Sequence, residues 1–329
     1  MKPTNFGIIG LGNQGKLHLQ NCLRIKGLNV EAVADTSKHA LAYATKLGVK
    51  KTYADYKDLI KDSNVDAVIV TLPNFLHTEC ATLAAEADKD ILLEKPLASN
   101  LADGEKIVSA VNKADVKLMM GFGMRFTPTF IDLRQKIMDG FFGEVRIAEA
   151  NLIDSGPFTP KSDTSGPAPV PNWWFDKESV GGGALMDLGV HMIDLFAWYF
   201  GEVKNVSGYL GYGLNMNVED SATCVIQFKN GTLGIVHAGW FAKGRLESMS
   251  LSGTSSCFST VLSQKSRMRF IWNDFKGVLG KSTLNSSGAA LQYFVDCIQH
   301  DVKPSPSATE GLTDLQIISM AYNNATVVT

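Results

Sequence analysis

Up to Gly121, short and nearly unbroken apolar runs alternate with stretches of helical period. The runs Phe6 to Gly10, Asn29 to Ala34, Ala67 to Thr71, Asp90 to Leu93 and Lys117 to Gly121 are short and nearly continuous in apolar character. They predict strands buried on both faces. Between them, Ser37 caps a predicted helix that stops at Gly48, Asp55 caps Tyr56 to Lys61, and Ser99 caps the stretch to Ala114. This order predicts an α/β fold with a doubly wound parallel sheet and right-handed crossovers.

The pattern changes after Gly121. A predicted helix from Pro128 to Met138 ends at Gly140. Alternating segments follow at Glu144 to Leu152, Val203 to Tyr212, Ala222 to Phe228, Thr232 to Phe241 and Glu247 to Ser252. They predict a C-terminal α+β domain with an open, mostly antiparallel sheet covered by helices on one face. Asn230-Gly231 predicts a type I′ hairpin. Glu310 to Val327 reads as a helix that packs back on the first domain. The expected boundaries are 1–122 and 123–329. Ser155 to Pro171, rich in Gly, Pro, Ser and Thr, predicts a long loop serving as lid or arm. Ser263 to Ser287 carries no assignable pattern.

Composition narrows the class. A chain of 329 residues, 45% hydrophobic, can build two cored domains. Its net charge of −2 argues against nucleic acid or an anionic membrane as partner. Apolar runs such as Leu195 to Phe200 are too short to span a bilayer, and the strand-like start at Asn5 to Ile9 leaves no room for a signal peptide. Five scattered cysteines without a CxxC pair read as reduced thiols of a cytoplasmic protein, with no metal site expected.

Chemistry enters with Gly10-Leu11-Gly12-Asn13-Gln14-Gly15, a G-x-G-x-x-G run that follows the first predicted strand and opens a helix. Gly10 permits the tight turn, Gly12 the approach of a pyrophosphate, and Gly15 close helix–strand packing. Asn13 and Gln14 begin the helix whose free N–H groups would face the phosphates. These features read as a Rossmann dinucleotide-binding domain. Asp35 ends the next strand, where a carboxylate accepts the ribose hydroxyls of NAD and repels the extra phosphate of NADP. Lys38 offsets part of that repulsion, so NAD is favoured and NADP is the alternative. The plainer reading of Asp35 is a solvated strand end.

Lys95, in Glu94-Lys95-Pro96, follows the apolar run Ile91 to Leu93, at the strand end that faces the ligand crevice. Asp187 and His191 stand four apart after Gly181-Gly182-Gly183 and share one predicted helix face. A carboxylate so placed can orient an imidazole and stabilise its protonated form. Arg125, Trp173 and Trp174 are candidate pocket residues, since aromatic faces suit a sugar or polyol ring and an arginine would admit acidic sugars.

The chain resembles the Gfo/Idh/MocA (glucose–fructose oxidoreductase / inositol dehydrogenase) family over nearly its whole length. The resemblance rests on Gly10 to Gly15, Thr71-Leu72-Pro73-Asn74 with His77, Glu94-Lys95-Pro96, and Gly181 to His191 ending in Asp194. Asn172-Trp173 and the segment from Asp220 to Asn230-Gly231 add to it. It implies an NAD(P)-dependent oxidoreductase acting on a secondary alcohol of a sugar or cyclic polyol. Lys95 would contact the reacting hydroxyl, His191 would accept its proton, and Asp187 would position substrate or imidazole. Glu94 would lie near the nicotinamide ribose, and Thr71, Pro73, Asn74 and His77 beside the cofactor. Two other functions stay open on this fold: an NAD-using glycoside hydrolase or lyase with transient oxidation, and a non-catalytic dinucleotide or sugar sensor. The exposed face of the second sheet predicts a homodimer or homotetramer.

Overall fold

A computed structural model describes residues 3–158, 170–261 and 285–328. The middle of the Ser155–Pro171 loop and most of the Ser263–Ser287 segment lie outside the described residues. The chain forms two compact units, one from residues 3–127 with 285–315, the other from residues 128–261 with 316–328.

The first unit alternates β1 (Thr4–Ile9), α1 (Asn13–Cys22), β2 (Leu28–Ala34), α2 (Lys38–Lys46), β3 (Lys51–Tyr53), α3 (Tyr56–Ile60), β4 (Ala67–Val70), α4 (His77–Glu86), β5 (Asp90–Leu93), α5 (Leu101–Ala114) and β6 (Leu118–Met120). Every pairing is parallel, in the order β3-β2-β1-β4-β5-β6. The order reverses between β1 and β4, where such sheets bind ligands beyond their strand ends. All four residues of β4 are buried, as an unbroken apolar run requires. Ser37 and Asp55 cap α2 and α3 as expected. Asn100, not Ser99, caps α5: its side chain accepts from the Asp103 N–H at 3.0 Å, while Ser99 is buried one residue earlier.

The second unit contains α6 (Pro128–Met138), β7 (Val145–Ile153), α7 (Lys177–Val180), α8 (Val190–Phe200), β8 (Val203–Gly211), β9 (Ser221–Phe228), β10 (Leu233–Gly239), β11 (Leu246–Gly253) and β12 (Cys257–Val261). A π-helical turn, Leu185–Gly189, leads into α8. Two helices follow in the chain, α9 (Ser286–Gln299) and α10 (Ala308–Asn323), and then β13 (Ala325–Val328). The sheet order is β12-β11-β7-β10-β9-β8-β13. The sheet is mixed: β7/β10 and β8/β13 run parallel and the other four pairings antiparallel. Inward positions such as Ala222, Cys224, Ile226 and Phe228 are buried, and α8 covers them through a ring chain of Phe196, Phe200 and Phe228.

Three local expectations change. The C-terminal helix ends at Asn323, and the β-branched run Thr326-Val327-Val328 pairs with the open edge of β8. The β9–β10 hairpin is not type I′. Gly231 alone has a positive φ, +91°, and Phe228 N–H donates to the Thr232 carbonyl at 2.9 Å. That closes a three-residue loop with a left-handed glycine. Residues 177–200 are long and apolar enough to cross a membrane, but most of this stretch is buried inside the protein, as befits a core helix. All five cysteines are free thiols. Burial pushes those of Cys22 and Cys80 far up and that of Cys224 up to about 12, which leaves them inert.

Candidate active site

The glycine turn sits between β1 and α1. Gly10 has φ +87°, and a Cβ on Gly15 would lie 1.9 Å from the Gly10 carbonyl oxygen. Only glycine permits that approach of helix to strand. A Cβ on Gly12 would meet nothing within 4 Å, and no side chain caps α1. Gly12, Asn13 and Gln14 are exposed, so the helix opens on free space suited to a phosphate. Asp35 braces the turn: its Oδ2 accepts from Leu11 N–H at 2.6 Å and its Oδ1 from Ser37 N–H at 2.7 Å. Its charge is thereby fixed at the strand end, with Lys38 exposed nearby. These residues fit a dinucleotide cofactor.

Beyond β4, the Thr71 hydroxyl lies 2.7 Å from the Gly10 carbonyl oxygen, tying this strand end to the glycine turn. Pro73 and Asn74 are half-buried. His77 stands behind them rather than among them. It has no exposed surface, and its Nδ1 and Nε2 lie 2.8 Å from the Pro96 carbonyl and 2.9 Å from the Leu72 carbonyl. Burial pushes its pKa down, with the carbonyls and Glu94 opposing. With a single N–H, a neutral ring there donates to one of the two carbonyls and packs against the other. The Lys95–Pro96 bond is cis, and Lys95 is half-buried at the end of β5.

Glu94 makes a contact that sequence reasoning missed. Its Oε1 lies 2.7 Å from Nε2 of His18 on α1, with side-chain exposures of 15% and 3%. Burial pushes the Glu94 carboxyl up, but the His18 hydrogen bond and the charge of Lys95 leave it below the usual range. The His18 Nδ1 is buried without a hydrogen-bond partner, so the tautomer that donates from Nε2 fits. The available signal was a lone histidine among the leucines of α1. Arg125 is also placed differently from its sequence reading. It is 5% exposed, and its Nη1 lies 2.5 Å from Glu310 Oε1 and 3.4 Å from Ser305 Oγ. Its charge is paired with Glu310 inside the first unit.

In the second unit, Asp187 and His191 are the half-buried ionisable groups of an otherwise apolar, buried stretch from Leu185 to Phe196; Asp194 has no exposed surface. Asp187 lies in the π-helical turn and His191 in the first turn of α8, so the plain helical spacing is modified at this site. The Trp240 indole N–H donates to Asp187 Oδ2 at 3.2 Å. Trp240 also walls an apolar recess of about 480 Å³, lined by Phe158, Phe175, Leu214, Met216, Trp240 and Phe241. That volume suits a small molecule. Trp173 stacks on Trp174 at 5.1 Å, and Trp174 meets Trp240 edge-on at 6.2 Å. Trp240 and Phe241 were not legible as pocket residues, because they lie at the end of an ordinary alternating strand.

A Rossmann unit with an open glycine turn, and a mixed-sheet unit that carries Asp187 and His191 half-buried on one helical stretch, fit an NAD(P)-dependent oxidoreductase. Residues 4–122 match the oxidoreductase family with an NAD-binding Rossmann fold, and residues 130–259 match the GFO/IDH/MocA C-terminal domain. The chain belongs to the Gfo/Idh/MocA family. It is 33% identical over 238 residues to a myo-inositol 2-dehydrogenase of Thermotoga maritima, covering 70% of this chain and 67% of that protein. It is 28% identical over 281 residues to a levoglucosan dehydrogenase of Pseudarthrobacter phenanthrenivorans, covering 74% and 70%. A crystal structure of a probable dehydrogenase from Thermotoga maritima superposes with a TM-score of 0.82 at 27% identity, covering 97% of this chain and 96% of that one.

Proposed function

We propose that the protein oxidises a secondary alcohol of a sugar or cyclic polyol with NAD, His191 taking the hydroxyl proton and Lys95 stabilising the reacting oxygen. The observation that carries this reading is the pair of half-open groups, Asp187 and His191, on a buried helix beside an aromatic recess. The myo-inositol and levoglucosan dehydrogenases to which the chain is similar support a hydroxylated ring as substrate. The bound nicotinamide would supply the hydride acceptor, held by the Gly10–Gly15 turn and by Asp35.

The remaining chemistry belongs to the chain. A neutral imidazole at His191 accepts a proton near neutral pH, and in reverse returns it to a ketone. Asp187, anchored by Trp240, stabilises the imidazolium that forms. The Lys95 ammonium favours negative charge as it develops on the substrate oxygen. Aromatic walls bind the apolar face of the ring. An exposed outer sheet face, including Ile147, Tyr209 and Leu233, supports self-association as a dimer or tetramer.

The test is cofactor reduction followed by absorbance, with NAD or NADP and a panel of inositols, aldoses, anhydrosugars and sugar acids. Turnover with a free polyol is expected. His191→Ala and Lys95→Ala should each lower kcat by roughly 10²–10⁴. In a double-mutant cycle the two losses should be strongly non-additive, because both groups act on one oxygen. Variants within about twofold of wild type would refute the assignment.

A further inference from the structure

Glu219 lies between β8 and β9 with 2% exposure, and the chemistry above does not use it. A buried carboxylate is costly unless donors surround it. Its Oε2 accepts from Gly183 N–H at 2.9 Å and its Oε1 from Leu185 N–H at 3.0 Å. Its backbone carbonyl accepts from the amide between them, Ala184, at 2.9 Å. The Tyr322 hydroxyl donates to Oε1 at 2.8 Å. Burial pushes the Glu219 carboxyl up with these donors opposing, and burial beside that carboxylate pushes the Tyr322 hydroxyl up, which keeps it a donor.

Three successive amides therefore end on one residue, and they are the amides that lead into the π-helical turn. The Gly183 carbonyl then accepts from Asp187 N–H at 3.0 Å. The glycines are what this contact demands. A Cβ on Gly183 would lie 1.9 Å from the Glu219 carbonyl oxygen, and one on Gly182 would lie 1.9 Å from the Tyr322 hydroxyl oxygen. The same connection reaches Asp187 by a second route. The Asp220 backbone carbonyl accepts from the Trp240 backbone N–H at 2.8 Å, and the Trp240 indole donates to Asp187.

We infer that Glu219, supported by Tyr322, is a positioning residue that locks the turn presenting Asp187 and His191. The inference rests on the proposed roles of those two residues. Glu219 acts through the backbone of residues 183–185 and need not touch substrate or cofactor. Small displacements of reacting groups can cost about 10²-fold in rate, so a hold of this kind shows in kcat.

The experiment compares Glu219→Gln, Tyr322→Phe and His191→Asn in the full chain. It measures kcat, KM for the alcohol, the NAD dissociation constant, thermal midpoint, and amide hydrogen exchange at Gly183 and Leu185. Glu219→Gln keeps the size but loses one of two amide acceptors. It should lower kcat by about 10–100-fold, speed exchange at Gly183 or Leu185, and leave NAD affinity within about twofold. Tyr322→Phe should move kcat and exchange in the same direction by less. Unchanged exchange and kcat in both variants would overturn the inference. So would a parallel loss of kcat, NAD affinity and thermal midpoint, which marks a general structural brace. If His191→Asn keeps full turnover, the proton-transfer reading falls instead, and amide exchange still decides whether Glu219 holds the turn.

Discussion

Replacing His18 with leucine removes the hydrogen bond to Glu94 while filling similar space. Breaking one side of a buried pair costs about 3–5 kcal/mol. Glu94 is 15% exposed and keeps the charge of Lys95 beside it, so a loss of about 2–4 kcal/mol is expected at pH 7. For a domain of roughly 150 residues this lowers the thermal midpoint by about 5–15 °C. The pH dependence is the sharper signature. In the wild type the Glu94 pKa is depressed, so its contribution is present above the unfolded value of about 4.3 and fades as pH falls through the folded value. Without His18, burial dominates and the folded value rises above the unfolded one. Stability from this group then declines as pH climbs through that interval. The gap between wild type and His18→Leu should therefore be smallest near pH 3 and widen towards neutrality. Thermal unfolding followed by circular dichroism across this range measures it. A gap that is flat with pH, or one within about 1 °C throughout, would refute the pairing argument.

Asp35→Ser removes the charge that disfavours the extra phosphate of NADP and should raise the NADP/NAD ratio of kcat/KM by about tenfold or more; a ratio within twofold of wild type would reduce Asp35 to a brace for Leu11 and Ser37. Glu310→Met should cost more stability than Arg125→Met, about 2–4 against 1–2 kcal/mol, because it removes the carboxylate from a guanidinium that is 4% exposed, whereas Glu310 is 34% exposed. Neither change should move KM for the alcohol more than about twofold, and a large rise for Arg125→Met would return that residue to the substrate pocket. Tyr209→Glu with Leu233→Glu, on the outer face of β8 and β10, should dissociate the proposed dimer or tetramer in size-exclusion chromatography with light scattering; an unchanged mass would refute an interface on this face.

The first unit was legible because its signals are local. Each apolar run from Phe6 to Met120 is a strand, and the glycine turn stands where the first strand meets the first helix. The spacing of Asp187 and His191 put both on one helical stretch, but gave no sign of the π-helical turn from Leu185 to Gly189. That turn depends on Glu219, more than 30 residues downstream, and on Tyr322 beyond it. His18 and Glu94 stand 76 positions apart, and Arg125 and Glu310 stand 185 apart. No periodicity reports such partners, so the pairing of Arg125 with Glu310 could not be read in advance. The last strand was hidden because Ala325 to Val328 follows a strong helical pattern and is drawn into the sheet only by the free edge of β8.

The first unit is assembled from two separated stretches of chain. Leu291, Phe294 and Val295 of α9 pack with Phe6, Leu19 and Ile25, and the Phe6 and Phe294 rings meet at 6.2 Å. Met120 N–H closes on the Pro306 carbonyl at 2.8 Å. A growing polypeptide therefore cannot finish its cofactor-binding half as that half leaves the ribosome. The apolar side of α1 must wait for residues made after β7 to β12 of the second sheet. Such distant contacts slow folding and prolong exposure of sticky surface. A fragment cut after Thr127 should behave as an aggregation-prone partial structure, whereas a circular permutant that joins these two stretches directly should mature faster than the natural order.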